Sequence, residues 1–155
     1  FNVYGPGMKV HDYRVIPTFM VRALKGQPLP VHAKGTQTRT FCYIPDAIQG
    51  FFKVLASEKN GEIYNVGRDD EEINMVGLAT SVSDLLPSRP RVELISYPDS
   101  YPAGEPQRRC PDISKIKREL GYTPHIKLKT GLARTLAWYQ KILSHDGEPG
   151  TGTLT

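Results

Sequence analysis

The chain is poor in the residues that build metal centres and disulfide frameworks. Its two cysteines, Cys42 and Cys110, are too few for a framework and form no CxxC pair. The four histidines show no metal-ligand spacing such as HExxH. Cys42 lies in an apolar segment, where a lone cysteine is typical of a small buried hydrophobe. The sequence therefore predicts no metal site.

Long apolar runs and clusters of one charge are missing as well. No run approaches the roughly 18 residues of a membrane span, and no signal peptide opens the chain. We therefore expect a cytoplasmic protein without a membrane partner. The net charge is +4 and the sequence pI is about 9.1, but lysines and arginines are scattered rather than clustered. A basic nucleic-acid-binding surface is accordingly the weakest hypothesis, whereas acidic small molecules fit the charge.

What is present is typical of one globular unit. The 155 residues include 39% hydrophobic and 23% charged side chains, as in a folded domain of ordinary size. Glycine, proline and threonine dominate 146–155, for which we expect a disordered tail after a unit spanning 1–145. The first residues, Phe1–Tyr4, are typical of the end of a strand and contain no initiating methionine. We interpret the chain as part of a longer protein.

Strand and helix patterns alternate along the sequence. Strands are predicted over Phe1–Tyr4, 38–44, Glu62–Val66 and Val92–Ile95, with a short extended segment at 28–32. Helices are predicted over Val15–Leu24, from Asp46 to about Glu58, from an N-cap at Asn74 to Leu86, over Ile113–Leu120, and around Leu132–Leu143. Ser96–Pro111 is expected to be loop. The alternation indicates an α/β fold.

Arg39 is the one permanent charge inside the predicted strand 38–44. On a half-buried strand a guanidinium needs an anionic partner, and a diphosphate suits its fork. A solvated edge arginine is the alternative. The helix that follows carries apolar residues predicted to pack as one broad face: Ala47, Ile48, Phe51, Phe52, Val54 and Leu55.

Six short blocks occur in the order found in one known family. They are Phe1–Met8, Arg14–Pro17, Gln37–Asp46, Ile63–Gly67, Arg108–Lys115 and Leu120–Pro124. With them, the chain resembles the C-terminal half of an extended short-chain dehydrogenase/reductase, in the family of NAD-dependent nucleotide-sugar epimerases and dehydratases. The members it resembles most are UDP-glucuronate decarboxylases and dTDP-glucose 4,6-dehydratases. The resemblance implies the substrate-binding part of a Rossmann-type α/β enzyme, with the N-terminal dinucleotide-binding core absent and Phe1–Tyr4 and Glu62–Val66 as late strands of its sheet.

The resemblance also implies binding roles around the diphosphate of a UDP- or dTDP-sugar. Asn2 corresponds to an amide near the diphosphate, although a loop-capping asparagine is the alternative. Arg14 and Val15 fall at a helix entrance that meets the nucleotide, where backbone donors suit an anion. A solvated helix charge is the alternative for Arg14. Arg39 corresponds to the diphosphate arginine. Arg109, or its neighbour Arg108, corresponds to a second arginine on the same phosphates.

Three further residues are implied, with an alternative for His32 and for Asn74. Val31 and His32 correspond to the segment that carries the base; relatives usually have an aromatic residue, often tyrosine, where this chain has His32, and a histidine can still stack on a base. An unrelated surface histidine is the alternative. Asn74 aligns with a substrate position in the dehydratases, but a helix N-cap explains it equally well.

The family's catalytic elements do not occur in this sequence. The family uses Tyr-x-x-x-Lys, and none of the eight tyrosines has a lysine four positions later. No glycine-rich dinucleotide fingerprint is present either. We therefore expect NAD to serve the full-length enzyme, this chain alone to be inactive, and its partner to be the missing half or a homodimer partner. A stand-alone nucleotide-sugar-binding module without catalysis is the alternative.

Overall fold

The computed structural model describes residues 1–98 and 106–145. The strands are β1 (Val3–Tyr4), β2 (Leu29–His32), β3 (Thr38–Arg39), β4 (Cys42–Tyr43), β5 (Ile73–Asn74), β6 (Val92–Ile95) and β7 (Arg108–Arg109). The helices are α1 (Val15–Leu24), α2 (Ile44–Leu55), α3 (Met75–Ser83), α4 (Ser114–Leu120) and α5 (Leu128–His145). The α/β prediction is confirmed. The predicted tail, 146–155, lies outside the described residues.

The described strands form three small sheets rather than one large one. β1 pairs with β4 in parallel, and β2 pairs with β6 in parallel. β3 lies between β5, which runs antiparallel to it, and β7, which runs parallel to it. α1, α3 and α5 pack on these strands around one apolar core, in which Phe19, Met20 and Leu78 are buried. A smaller core of Ile113, Ile116 and Tyr122 lies beneath α4.

The predicted strand 38–44 is two short strands with different partners. β3 belongs to the three-stranded sheet, and β4 pairs with β1. Between them the Thr40 amide donates to the Arg109 carbonyl, and the Cys42 amide donates to the Asn2 carbonyl. The chain therefore crosses from one sheet to another within four residues, a change that a continuous apolar pattern does not reveal.

Helix α2 differs from its prediction in both its ends and its buried face. It begins at Ile44 and ends at Leu55, and its buried positions are Asp46, Ala47 and Gly50. The prediction of one broad buried apolar face is wrong, because Ile48, Phe51, Phe52 and Leu55 are all exposed. Gly50 explains the difference. A Cβ there would lie 2.5 Å from Val66 Cγ1 and 3.0 Å from Tyr122 Cε2, so the helix packs closely through its small residues.

Two loop and strand predictions are also corrected. In the described part of the chain Glu62–Val66 forms no strand, although the Phe1 nitrogen donates to the Val66 carbonyl at 2.8 Å. A strand needs a full ladder of such bonds. Conversely, the predicted loop Ser96–Pro111 contains β7, which pairs with β3.

The helix predictions based on caps and periodicity agree better. α1 has the predicted bounds. Asn74 is confirmed as an N-cap, since its Oδ1 accepts from the Gly77 amide at 2.7 Å, although α3 ends at Ser83 rather than Leu86. Gly121 ends α4 with a φ of 60°, a left-handed conformation that favours glycine.

Candidate functional site

A cavity of about 370 Å³ lies where the three sheets and α1 meet. That volume falls within the range of about 300–1,000 Å³ typical of small-molecule sites. Seven of the eight residues predicted from the sequence line it; they are Asn2, Arg14, Val15, Val31, His32, Arg39 and Arg109. The structure thus brings together residues that are up to 107 positions apart. Their binding roles remain predictions.

The two arginines that line the cavity sit on neighbouring parallel strands. Arg39 of β3 is the register partner of Arg109 of β7, so the two side chains project from the same level of the sheet. Arg39 is only 5% exposed, and its Nη1 donates to the Thr38 carbonyl at 2.7 Å. Arg109 is exposed. Like charges directly opposite each other on adjacent strands repel, whereas an anion between them would satisfy both.

Of the two neighbouring arginines, Arg109 lines the cavity and Arg108 does not. Successive side chains of a strand point to opposite faces, and Arg108 points away from the cavity toward Glu72. Its guanidinium forms a two-pronged pair with that carboxylate, with Nε–Oε1 at 3.0 Å and Nη2–Oε2 at 2.9 Å. Thr38 Oγ1 donates to the same carboxylate at 2.5 Å. Glu72 therefore links β7 to β3 on the face of the sheet opposite the cavity, and this link keeps Arg109 beside Arg39.

This link predicts an acid-sensitive site. Hydrogen bonds from Arg108 and Thr38 hold the pKa of Glu72 below its ordinary value of 4.5. A carboxylate whose pKa is lowered by folding stabilises the fold at a pH above its unfolded-state pKa. This stabilisation is lost as pH falls through the folded-state pKa. We expect Glu72→Gln to lower the melting temperature at pH 7 and the difference from the parent to shrink below about pH 4. Thermal melts across this range check it. Glu58→Gln, which removes an exposed carboxylate after α2, is the control; an equal effect of both variants would contradict the assignment.

The entrance of α1 forms another wall of the cavity. Arg14 is the N-cap residue of α1, and residues 15–18 of its first turn line the cavity. No acidic side chain lies in that turn. Helix N-terminal amides carry partial positive charge, so this wall also favours an anion. The Arg14 guanidinium itself is engaged by Asp12, with Nε 3.0 Å from both carboxylate oxygens, and this hydrogen bonding lowers the pKa of Asp12.

Asn2 lies on the cavity wall in a constrained conformation. Its φ of 46° is in the left-handed region, which asparagine tolerates better than most residues. Its Nδ2 donates to the Thr40 carbonyl at 2.8 Å, which fixes the side chain across the break between β3 and β4. The amide is therefore held in place at the cavity edge.

Aromatic residues form a further wall. His32, at the end of β2, stacks on Tyr97 with ring centroids 5.1 Å apart and planes 9° from parallel. Gln37 Nε2 donates to the Tyr97 hydroxyl at 3.2 Å. Tyr97 and Gln37 both line the cavity. Sequence reasoning did not assign either, because Tyr97 reaches the site from the irregular segment after β6 and nothing local marks it.

Asn74 is the predicted site residue that the structure does not bring to the cavity. In the described part of the chain its neighbour Met75 lines the cavity instead. The Asn74 side chain is occupied as the N-cap of α3. Of the two interpretations that the sequence left open, the capping role accounts for its position.

Residues 1–98 and 106–145 contain no group of three or more histidine, cysteine, aspartate or glutamate side chains that could hold a metal ion. No helix in these two ranges is long and apolar enough to cross a membrane.

The chain is similar to known proteins in both sequence and fold. Residues 1–67 match the NAD dependent epimerase/dehydratase family. UDP-glucuronic acid decarboxylase 6 of Arabidopsis thaliana is 42% identical over 132 residues, which are 85% of this chain and 37% of that protein. A UDP-N-acetyl-alpha-D-glucosaminuronate decarboxylase of Bacillus cytotoxicus is 34% identical over 145 residues, which are 92% of this chain and 45% of that protein.

Solved structures give the same result for the fold. UDP-glucuronic acid 4-epimerase from Bacillus cereus, in complex with UDP-glucuronic acid and NAD, matches with a TM-score of 0.80 and 29% identity. The match covers 92% of this chain and 44% of that one. A dTDP-glucose 4,6-dehydratase from Streptomyces venezuelae, with NAD and TYD bound, matches with a TM-score of 0.79 and 31% identity, over 93% of this chain and 43% of that one. The chain thus spans less than half the length of these proteins. Residues 1–67 carry the match to the NAD dependent epimerase/dehydratase family, and the fold is similar to part of these solved enzymes.

Proposed function

We propose that this chain is the nucleotide-sugar-binding part of an NAD-dependent sugar-nucleotide decarboxylase, dehydratase or epimerase, with a UDP-glucuronate decarboxylase as the best single assignment. The observation that carries the proposal is the register pairing of Arg39 with Arg109 on one cavity wall. The diphosphate would lie between these guanidiniums and the first turn of α1. The decarboxylases among the relatives support the choice of reaction.

In this proposal the chain binds and orients the substrate. Two arginines fix the diphosphate, and Asn2 contributes an amide that can donate to a phosphoryl oxygen or accept from a sugar hydroxyl. Burial of Arg39 places one of these charges where water screens it less. Holding a sugar in a productive orientation can contribute several kcal/mol to lowering a barrier.

NAD would be held outside the residues of this chain. The sequence contains neither the glycine-rich turn that binds a dinucleotide nor a tyrosine followed four positions later by a lysine. These residues therefore do not fit NAD, and we assign them no catalytic step. We expect the chain alone to bind substrate without turning it over.

The exposed face of α2 supports a second element of the proposal. Ile48, Phe51, Phe52 and Leu55 follow the spacing of one helix face, and Ile63 is exposed as well. Because apolar patches of this kind mark interaction sites, we propose that a dinucleotide-binding part of the whole protein covers this face. The relatives, of which this chain spans 37–45% in the two decarboxylases above, have the length for such a part.

Binding of UDP by the chain tests the assigned site. We expect Arg39→Ala to weaken UDP binding roughly 10- to 100-fold, since a charge-assisted hydrogen bond contributes about 1.5–3 kcal/mol. Arg91→Ala is the matched control. It removes the same charge from a side chain that is 74% exposed and does not line the cavity, and should change the affinity less than about threefold. Titration calorimetry on the three proteins measures these affinities. Equal losses in both variants, or no loss in Arg39→Ala, would refute the site.

A further inference from the structure

The aromatic pair of His32 and Tyr97 is a feature that the diphosphate site does not use. The two rings are nearly parallel and come from β2 and from the segment just after its parallel partner β6. Register pairing of His32 with Ile95 brings residue 97 alongside the end of β2. The pairing of β2 with β6 therefore brings the two rings together.

A hydrogen bond connects the pair to the strand that carries Arg39. Gln37 donates to the Tyr97 hydroxyl, and Gln37 precedes Arg39 by two residues. Two residues of extended chain span roughly 7 Å and return the side chain to the same face. Gln37, Tyr97 and Arg39 all line the one cavity. An aromatic surface and a cationic surface are thus placed a short distance apart in the same space.

A nucleoside diphosphate has this division of chemistry. Its planar base stacks on aromatic rings, its diphosphate pairs with guanidiniums, and one ribose separates them. We propose that Tyr97, stacked on His32 and anchored by Gln37, is a positioning residue for the nucleotide base. This inference rests on the proposed function and extends it to the base end of the cavity. The family resemblance implied a base contact for Val31 and His32 and gave no role to Tyr97.

Two probes separate the base end from the phosphate end. UDP carries both groups, whereas inorganic pyrophosphate carries only the second. We expect Tyr97→Ala to weaken UDP binding about 10-fold, the range typical of a lost base stack, and to leave pyrophosphate binding unchanged. Tyr97→Phe keeps the ring and should stay within about threefold of the parent for both probes. Arg39→Ala should weaken both probes.

The outcomes distinguish this inference from the proposed function. If Tyr97→Ala weakens UDP and pyrophosphate equally, the residue only maintains the fold and the inference is wrong. If Tyr97→Ala leaves UDP binding intact while Arg39→Ala weakens it, the base lies elsewhere and the diphosphate site stands. If Arg39→Ala affects neither probe, the proposed function fails and the inference with it. Melting curves of each variant show whether the fold is retained, and Tyr97→Leu, which keeps an apolar side chain without an aromatic ring, replaces Tyr97→Ala if that variant does not fold.

Discussion

Replacing Arg68 with methionine should lower the free energy of unfolding of this chain by about 1–3 kcal/mol. Arg68 is only 2% exposed and is the largest fully buried side chain among the described residues. Its Nη1 donates to the Ile126 carbonyl at 2.6 Å, and its Nη2 donates to Asp70 Oδ2 at 3.1 Å. Its Nε lies 3.2 Å from a Glu71 oxygen. Methionine fills much of the volume but removes the donor to the Ile126 carbonyl, while Asp70 keeps Lys127 and Glu71 keeps the Leu128 amide.

The position of Arg68 explains why so much depends on it. Burial alone would lower the pKa of its guanidinium, but the hydrogen bond and charge of Asp70 and the charge of Glu71 raise it. Glu71 in turn accepts from the Leu128 amide at 3.0 Å, at the first residue of α5. Arg68 therefore connects the loop before β5 to the start of the longest helix.

Urea unfolding of matched variants measures this effect. Arg89→Met is the control, because the Arg89 side chain is 72% exposed and its Nε lies 3.6 Å from Asp84 Oδ1. An exposed ion pair of this kind contributes little to stability. We expect Arg89→Met to change the free energy of unfolding by less than about 0.5 kcal/mol. A loss in Arg68→Met no larger than that of the control would show that the buried guanidinium does not stabilise the fold.

Local sequence rules predicted the parts of this fold that depend on neighbours in sequence. The bounds of α1, the N-cap at Asn74 and the stop at Gly121 follow from residues within one turn of each helix. Arg68 shows the limit of such rules. In sequence it opens a run of charged residues, 68–72, that is typical of a loop, whereas its partners include a carbonyl 58 positions away. Only the folded chain brings them together.

The residues of the candidate site were likewise only partly predictable from the sequence. Arg39 could be singled out because a permanent charge inside an apolar strand needs a partner, and family resemblance added Arg109. Their register pairing depends on β7, a two-residue strand inside a segment predicted as loop. Tyr97 could not be found from sequence, because the stack on His32 and the hydrogen bond from Gln37 join residues 60 or more positions apart. Asp46 was interpreted as a helix start, but its carboxylate accepts from the His125 and Ile126 amides.

The exposed face of α2 leads to a second large effect, on association. We expect the isolated chain to self-associate through this face. Phe52 and Leu55 are 64% and 79% exposed, and burying a side chain of either type contributes about 1.5–3 kcal/mol. The double variant Phe52→Ser/Leu55→Ser should therefore weaken association by roughly 100-fold or more. Neither side chain lines the cavity, so UDP binding should be unchanged.

Sedimentation over a range of concentrations measures the association of each variant and distinguishes this face from nonspecific association of exposed apolar residues. Leu94→Ser is the matched control, because Leu94 is also an exposed leucine, at 59%, but lies on β6. It should leave association as it is in the parent. A parent chain that stays monomeric at every concentration would contradict the expectation, as would equal effects of the α2 and Leu94 variants. Loss of association in the α2 variant alone would identify this face as the associating surface. An apolar face over two helical turns marks an interaction site, and a dinucleotide-binding part can pack against it.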